Sequence, residues 1–377
     1  MAQRLKTDWI LFFTIVVMVC FGLVMVYSAS SVMAQFKYHS SYYFIVRQTL
    51  FAVPAFFFLM FFKRIDYRRF RNAGWAFGPL GLVVAALVVV WFADPRRHRW
   101  LNVAGVGLQP SEFAKPALIV FLAWFVSRRL HSINNRHTLL PSVAALVVLA
   151  GAVVIADLGT AAVLVATAAI VFYVAGLDRR YILFALGAGL LLAVPAILVK
   201  PYRTARVVAF VDPEYKLVEK ISPKIPEYLK NASAIRDTGY QARQSRIAVG
   251  SGGAAGLGLM QGKQKMFYLP EAHTDFIYAV VGEELGLWGS SAVLFGFLVI
   301  LWRGLRLFFI APDDFGRYLA LGITASIVVQ ALINMSVVLD LAPTKGIPLP
   351  MVSYGGSSLL STLISLGLLL SVSEHAG

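Results

Sequence analysis

The chain has 377 residues, of which 59% are hydrophobic and 14% charged, and its formal net charge is +15. A soluble protein of this length carries about a quarter charged residues, so this composition, with a mean hydropathy of +0.73, argues against the soluble globular class. In a membrane protein the basic excess is explained by topology rather than by nucleic acid, and the single cysteine, Cys20, allows no disulfide within the chain.

Apolar runs of about 20 residues, long enough to cross a bilayer, recur along the sequence. They predict an all-α integral membrane protein of about ten transmembrane helices that forms a single polytopic membrane domain over residues 1–377. Arg4 and Lys6 precede the first run, which is too long for the core of a signal peptide and is interpreted as an uncleaved first helix. The predicted spans lie near 9–29, 43–62, 73–92, 110–127, 139–156, 159–177, 181–200, 274–302, 316–340 and 349–372.

Basic residues predict the orientation, because short loops rich in Lys and Arg stay in the cytoplasm. They cluster before span one and in the loops after spans two, four, six and eight, which places both termini in the cytoplasm. The long segment 201–273, between helices seven and eight, is then a large extracytoplasmic loop, and within it 240–249 has the pattern of an amphipathic surface helix. The basic residues on the cytoplasmic side are Arg4, Lys6, Lys63, Arg64, Arg68, Arg69, Arg71, Arg128, Arg129, Arg136, Arg179, Arg180, Arg303, Arg306 and Arg317.

Charged groups within or beside apolar spans are costly and need a reason. At the start of span four, Glu112 and Lys115 are three residues apart on one helix face. They are either an ion pair between packed helices or the polar wall of an outward-facing cavity. The preceding loop carries Arg96, Arg97 and Arg99, whose guanidinium groups suit the phosphate of a substrate or of a lipid headgroup.

Further acidic residues lie toward the same side. Asp157, in the tight turn between spans five and six, is either a helix cap or a site residue. Asp275 stands at the mouth of span eight, where it is again either a cap or a functional carboxylate. Glu283 and Glu284 lie about 12–13 Å deeper at 1.5 Å per helical residue, and Gly282 with Gly286 has the spacing of a close helix contact.

Two irregular stretches complete the outer side. The glycine-rich stretch 250–262 is not a Walker motif, because Gln264 follows Lys263 where Ser or Thr is required, and it is interpreted as flexible turns. The last outer loop, 343–358, contains three prolines and two adjacent glycines. Irregular backbone at membrane depth persists only where protein or a wet cavity satisfies it, so this loop indicates a site. The sequence shows no recognisable metal-ligand set and no Ser-His-Asp arrangement.

Five ordered motifs spread over nearly the whole chain resemble those of the SEDS family, the membrane glycosyltransferases of cell-wall synthesis that include RodA and FtsW. The stretches 270–275 and 343–346 are more similar to the division branch, FtsW, than to the elongation branch. The five motifs are Arg99-Trp100 with 109–115, then 157–161, 240–253, 269–276 and 348–357.

The resemblance implies a peptidoglycan glycosyltransferase of the bacterial cytoplasmic (inner) membrane, with its active site on the periplasmic side. Such an enzyme polymerises lipid II with inversion at the anomeric carbon and releases undecaprenyl pyrophosphate. By the family motif the general base is Asp275, and partial burial would raise its pKa toward useful basicity. Cations must stabilise the leaving pyrophosphate. The candidate substrate-binding residues are Arg99, Glu112, Lys115, Asp157, Arg203, Arg206, Gln241, Ser245, His273, Lys345, Ser353 and Tyr354.

The expected partner is a class B penicillin-binding protein, a transpeptidase, alongside other membrane proteins of the division or elongation complex. No protein metal site is predicted, although a divalent cation such as Mg²⁺ could share the charge of the leaving group. Two alternatives stay open: a flippase for lipid II, kept alive by the deep Glu283 and Glu284, and a non-catalytic scaffold of the division complex.

Overall fold

Helices dominate the structure, a computed structural model that describes residues 7–94, 99–103, 106–198, 201–212, 219 and 238–375. Two 3₁₀ turns (Tyr67–Phe70 and Leu130–Ser132) and a two-stranded antiparallel hairpin, β1 (Leu101–Val103) with β2 (Val106–Leu108), interrupt them. The α-helices of this part of the chain are α1 (Trp9–Tyr38), α2 (Tyr43–Arg64), α3 (Ala73–Ala93), α4 (Pro110–Arg129), α5 (Arg136–Ala156), α6 (Leu158–Val174), α7 (Arg179–Leu198), α8 (Pro201–Val211), α9 (Thr238–Gly252), α10 (Ile277–Ile310), α11 (Asp314–Val338) and α12 (Gly356–His375).

Each of the ten predicted spans coincides with one helix, namely α1 to α7 and α10 to α12. Within the described residues, six of these (α1, α2, α3, α10, α11 and α12) are long and apolar enough to cross a membrane. The chain is therefore a multi-pass membrane protein, while the count of ten spans stays a prediction. The predicted surface helix at 240–249 lies within α9.

Three helix ends differ clearly from the prediction, and one of them is the end of α10, which continues to Ile310, eight residues past its predicted end. The last helix starts at Gly356 rather than near residue 349, because Pro348 and Pro350 disfavour helix. Leu349 instead accepts from the amides of Val352 and Ser353 in a turn, and the Tyr354 amide donates to His273. The first helix continues to Tyr38, nine residues past its predicted end, through a polar stretch that contains Ser30 and Ser31.

The interior is formed by α4, α11 and α12. Almost every side chain of α4 from Pro110 to Val126 is buried. Of an 18-residue apolar stretch in each helix, 78% is buried inside the protein in α11 and 83% in α12. By contrast, only 22–39% of the corresponding 18-residue stretch is buried in α1, α2, α3 and α10. The apolar faces of these peripheral helices are left for lipid.

Ion pairs join both described ends of the chain on one face of the molecule. Arg303, near the end of α10, bonds to Asp8 at 2.7 Å, and Asp8 also caps α1 by accepting from the Leu11 amide. Lys63, at the end of α2, pairs with Glu374 of α12 at 3.0 Å. The start of α1 and the end of α12 therefore share a face with the basic loops, as the predicted orientation requires.

The glycine-rich stretch after α9 is closely packed rather than flexible. Gly282 of α10 faces Val249 of α9, and Cβ atoms on Gly252 or Gly256 would collide with backbone atoms of residues 282–286. Gly286 has φ +63° and ψ −155°, a conformation essentially confined to glycine. It breaks α10 where the chain meets Gly256, so the predicted Gly282–Gly286 contact is made with α9 and the stretch that follows it.

We expect Gly286→Ala to destabilise the fold by at least about 1–3 kcal/mol, because a Cβ is strained at this φ and also meets the Gly256 backbone. Thermal unfolding in detergent, followed by light scattering, measures the loss. The matched control is Gly81→Ala in α3, where a Cβ meets nothing within 4 Å and helix propensity favours alanine. Equal melting temperatures for the two variants would contradict the assigned role of Gly286.

Candidate active site

Asp275 lies in the turn immediately before α10. The N-cap of that helix is Phe276, and no side chain caps it, so the alternative reading of Asp275 as a helix cap does not hold. The carboxylate accepts no hydrogen bond and forms no ion pair with any described residue. It lies against Gly346, where a Cβ would come within 2.5 Å of its Oδ2. A partly buried carboxylate is thus held without a partner for its charge.

Four charged side chains from separate segments act on this carboxylate. Burial is the largest effect and raises the pKa of Asp275 from 3.8 to about 7; Arg99 and Arg206 lower the pKa, whereas Glu271 and Asp157 raise it. The two arginines do not offset the loss of hydration. Asp275 is therefore half ionised near neutral pH, which is the range in which a carboxylate is most effective as a general base.

Arg99 and Asp157 form one unit beside the base. Arg99 Nη2 lies 3.3 Å from Asp157 Oδ2. The other carboxylate oxygen accepts from the amides of Gly159 and Thr160 at the start of α6. Asp157 therefore is a helix cap, as one reading predicted, and it also orients a guanidinium group that is 35% exposed. The Nε atom of Arg99 is buried and makes no hydrogen bond to the described residues, so a ligand would reach the exposed remainder of this side chain.

The segment 343–346 brings further positive charge to the site. Arg206 of α8 donates to the carbonyl of Thr344 at 3.5 Å, and Lys345 is adjacent to Gly346, which touches Asp275. Arg203 falls within α8, but its side chain lies outside the described part of the structure, as do Arg96 and Arg97 altogether. The predicted contacts of these basic residues with substrate stay predictions.

His273, Ser353 and Tyr354 connect the two segments on either side of the carboxylate. The Tyr354 amide donates to the His273 carbonyl at 2.9 Å, and Ser353 Oγ donates to the Thr274 carbonyl at 2.6 Å. The centroid of the His273 ring lies 4.5 Å from that of the Phe44 ring and 5.6 Å from that of the Tyr354 ring. Burial lowers the pKa of His273 to about 4, so its imidazole is neutral. These contacts hold the turn that carries Asp275.

Glu112 and Lys115 lie in the interior as an ion pair. Lys115 Nζ is 2.7 Å from Glu112 Oε2 and donates to Gln330 Oε1 at 2.7 Å. Both charged side chains are at most 6% exposed. The space beside Lys115 is a cavity of about 10 Å³, room for one water molecule. The geometry matches the predicted ion pair between packed helices and not the wall of an open cavity.

Gln241 and Ser245 are buried on α9. Ser245 Oγ donates to the carbonyl of Val338 at 2.7 Å, and Arg246 on the same helix pairs with Asp340 at 3.2 Å. These bonds fasten α9 to the end of α11. A contact of Gln241 or Ser245 with substrate stays a prediction, and the contact that the structure gives Ser245 is with the protein itself.

The deep carboxylates Glu283 and Glu284 both form hydrogen bonds or ion pairs with other groups of the protein. Glu284 accepts from Lys265 Nζ at 2.6 Å, and both side chains are at most 1% exposed. Glu283 accepts from the backbone amides of Lys263 and Gln264. Together they fasten the loop after α9 to α10, which is a structural use of buried charge.

Comparison with known proteins places this arrangement in a family. A family model described as cell cycle protein, which covers FtsW, RodA and SpoVE, matches residues 8–377. The chain belongs to this family. It is 39% identical to the probable peptidoglycan glycosyltransferase FtsW of Geobacter metallireducens, covering 98% of this chain and 95% of that protein. It is 36% identical to stage V sporulation protein E of Bacillus subtilis, covering 99% of each.

Solved structures agree with the family assignment. One chain from "Structural coordination of polymerization and crosslinking by a peptidoglycan synthase complex" superimposes with a TM-score of 0.76 and 26% identity, covering 97% of each chain. Rod shape determining protein RodA of Thermus thermophilus superimposes with a TM-score of 0.68 and 23% identity, covering 97% of this chain and 96% of that one, which shows the fold alone. The resemblance seen in the sequence motifs is thereby confirmed.

Two residues at the site were not among the candidates predicted from the sequence. Asn334 Nδ2 donates to the carbonyls of Asp275 and Ile347, both at 2.7 Å. Gln330 Nε2 donates to the carbonyl of Pro348 at 2.8 Å. Both residues lie on α11, one turn apart. The signal that could have revealed them is the cost of two amides in an apolar span.

We expect Asp275→Asn to stabilise the folded protein by about 5 °C at pH 8. Because the folded-state pKa is raised from 3.8 to about 7, the ionised carboxylate destabilises the fold. The penalty is absent at pH values below 3.8, grows as the pH rises to about 7 and is then constant. Melting temperatures of wild type and variant, measured at several pH values from about 4 to 8, show whether the stabilisation by Asp275→Asn grows with pH.

The control is Asp340→Asn, which removes an ion pair with Arg246. Asn tolerates the left-handed backbone of this position, φ +57°, so no pH-dependent gain in stability is expected. A gain that Asp275→Asn shows equally at all pH values would refute the raised pKa.

Proposed function

We propose that this chain joins the disaccharide-peptide units of lipid II into glycan strands for septal or lateral cell-wall synthesis, with Asp275 as the general base. The predicted enzyme class, a peptidoglycan glycosyltransferase, is confirmed by the name of the Geobacter relative, which matches 98% of the chain. The observation that carries the mechanism is a partly buried carboxylate with a pKa of about 7, which lies near two arginines but pairs with none of the side chains that the structure describes.

The reaction is a single displacement at the anomeric carbon of the donor. Asp275 takes the proton of the acceptor hydroxyl while that oxygen forms the new bond to the anomeric carbon. The bond from this carbon to the pyrophosphate oxygen breaks, and its electron pair leaves with undecaprenyl pyrophosphate. Attack from the face opposite the leaving group converts the α-linked donor to a β-linked product.

Developing charge on the leaving group needs cations close to the base. Arg99 is the best placed, since Asp157 orients its guanidinium group, its side chain is 35% exposed, and its charge acts on Asp275. Arg206, through its bond to the loop at Thr344, is the second. Lys115 is less suited to this task, because its ammonium is buried against Glu112 and Gln330.

A divalent cation such as Mg²⁺ would supply the same charge to the pyrophosphate. The described residues contain no group of three or more His, Cys, Asp or Glu side chains that could hold a metal ion. Mg²⁺ is commonly bound by one or two carboxylates together with substrate phosphates. Glu271, which lies near Asp275 in the turn before α10, is the carboxylate that would fit such a role, and Asp275 keeps its role as the base.

The topology that we propose is the predicted one, a single domain over 1–377 with ten spans, both termini cytoplasmic and 201–273 as the large extracytoplasmic loop. Asp275 precedes α10, whereas Arg303 near its other end pairs with Asp8 at the start of the chain. The 27 residues from Ile277 to Arg303 span roughly 40 Å, about the thickness of a bilayer with its headgroups. The basic face is then cytoplasmic and Asp275 is periplasmic, in the bacterial inner membrane.

A class B penicillin-binding protein is the partner that we propose, since the superimposed chain belongs to a synthase complex that coordinates polymerization and crosslinking. Other membrane proteins of the division or elongation machinery would join the same assembly. The flippase alternative loses its main support, because Glu283 and Glu284 are bound to Lys265 and to backbone amides rather than facing a passage. The scaffold alternative requires that Asp275 be dispensable.

Reconstitution with the transpeptidase partner and lipid II tests the assignment of the base. We expect Asp275→Asn to reduce glycan polymerisation at least about a hundredfold, the typical contribution of general base catalysis. Asp340→Asn, a carboxylate paired outside this site, should polymerise like wild type. Equal polymer from Asp275→Asn and wild type would remove Asp275 as the base, and lipid II crossing a vesicle without polymer would favour a flippase.

The pH dependence of the wild-type rate is a separate prediction. Since the base works only when deprotonated, the rate of polymerisation should fall about tenfold per pH unit below the pKa of Asp275, about 7, and level off above it. Initial rates between about pH 5.5 and pH 8.5 check this. A rate that stays constant across that range would contradict a base with a raised pKa. The charged groups that face Asp275 are Arg99, Arg206, Asp157 and Glu271.

A further inference from the structure

Two amide side chains stand out on α11, whose other buried polar side chains, such as Thr324 and Ser326, carry hydroxyl groups. Gln330 is 3% exposed and Asn334 is 1% exposed. Burying an amide is costly unless its hydrogen bonds are made, and such residues within spans mark functional positions. Both side chains donate to carbonyls of the segments that meet at Asp275.

Asn334 joins the backbone of Asp275 to the backbone of the opposing loop. Its side-chain nitrogen has two hydrogens, and both are used, one for the Asp275 carbonyl and one for the Ile347 carbonyl. The side-chain oxygen is buried without a partner. The opposite orientation of this amide would place that oxygen against two carbonyl oxygens. The two loop carbonyls therefore determine how Asn334 is oriented.

Gln330 extends the same attachment by one residue and connects it to α4. Its nitrogen donates to the Pro348 carbonyl at 2.8 Å, and its oxygen accepts from Lys115 Nζ at 2.7 Å. Lys115 is in turn paired with Glu112. The amide of Gln330 is thus held by a buried, charge-assisted hydrogen bond, which fixes its donor toward the loop.

The segment 346–348 is the part of the loop that touches the carboxylate. Gly346 lies against Asp275 Oδ2, and the next two residues, Ile347 and Pro348, are the ones that the amides bind. The chain from residue 342 to 349 has no regular secondary structure. Side-chain amides from α11 therefore replace the regular backbone bonds that would otherwise hold this segment in place.

We propose that Asn334 and Gln330 are positioning residues for glycosyl transfer, which hold the segment 346–348 against the Asp275 carboxylate and keep water away from it. They do not touch the reacting atoms. This inference rests on the proposed function of Asp275 as the base. The residues Glu112 and Lys115, predicted to bind substrate, then act on the reaction from the interior, through Gln330.

Releasing this segment has a consequence that general destabilisation does not have. If Gly346 moves away, the carboxylate gains water, and the pKa of Asp275 falls from about 7 toward its ordinary value. The acidic limb of the pH–rate profile then moves to lower pH. The charged groups that face Asp275 from other segments, none of which is altered by substitutions on α11, are Arg99, Arg206, Asp157 and Glu271.

The experiment compares Asn334→Leu and Gln330→Leu with wild type in complex with the transpeptidase partner, using lipid II as the substrate. We expect kcat to fall between about ten- and a hundredfold, since small displacements of a base are costly, with KM within about threefold of wild type. The acidic limb should shift down by about one pH unit. Asn334→Ser, which keeps one donor instead of two, gives an intermediate variant should Asn334→Leu fail to fold.

The control is Thr324→Val on the same helix. This side chain is equally buried, but its hydroxyl donates to Ala320 within α11, so it has no bond to the loop. Thr324→Val should leave the pH–rate profile unchanged. Wild-type kcat and an unmoved acidic limb in Asn334→Leu and Asn334→Ser would overturn the proposal.

A stability cycle separates this proposal from the assignment of the base. The gain in melting temperature at pH 8 from Asp275→Asn should be at least halved in the Asn334→Leu background, because a hydrated carboxylate no longer destabilises the fold. This readout does not depend on activity. A fully active Asp275→Asn would reject Asp275 as the base, while the melting temperatures would still test the role of Asn334. A gain in melting temperature that is undiminished in the Asn334→Leu background would reject the positioning role even if Asp275 is essential.

Discussion

The site depends on one contact, the close approach of Gly346 to the carboxylate of Asp275. A larger residue at Gly346 would push the carboxylate or the loop away, and a donor there would satisfy the charge. Asp275 is therefore partly buried with no partner for its charge among the described residues, and burial raises its pKa to about 7. The remaining features of the site either hold this contact in place or bring positive charge to its edge.

Other buried charges of the protein are treated differently. Glu112 is paired with Lys115, Glu284 with Lys265, and Asp8 with Arg303. Such pairs compensate the cost of removing charge from water. The Asp8–Arg303 pair also joins the start of α1 to α10, and the Lys265–Glu284 pair joins a loop to α10. Against this background, a carboxylate at a helix start with no ion-pair partner among the described residues is a functional signal, because strongly perturbed pKa values cluster at functional sites.

Sequence reasoning located the helices well, because membrane spans are determined by length and apolarity. Local rules also predicted the Glu112–Lys115 pair from its i, i+3 spacing and the Asp157 cap from its turn. The same rules failed for the break at Gly286 and for the packed glycines of the loop after α9. Those features depend on backbone contacts with a distant segment, and a glycine that fits such a contact looks in the sequence like a flexible turn.

The sequence by itself determined the membrane class, the family motifs and the identity of the candidate base, since each of these is written in composition or in consecutive residues. Only the tertiary structure decided which charges are compensated. The amides of Asn334 and Gln330 reach their carbonyls, and Ser245 reaches Val338, across separations in the chain that no local pattern encodes. The state of Asp275 is of the same kind, because the described segments that pack around this carboxylate form no hydrogen bond or ion pair with it, and no local pattern encodes that arrangement.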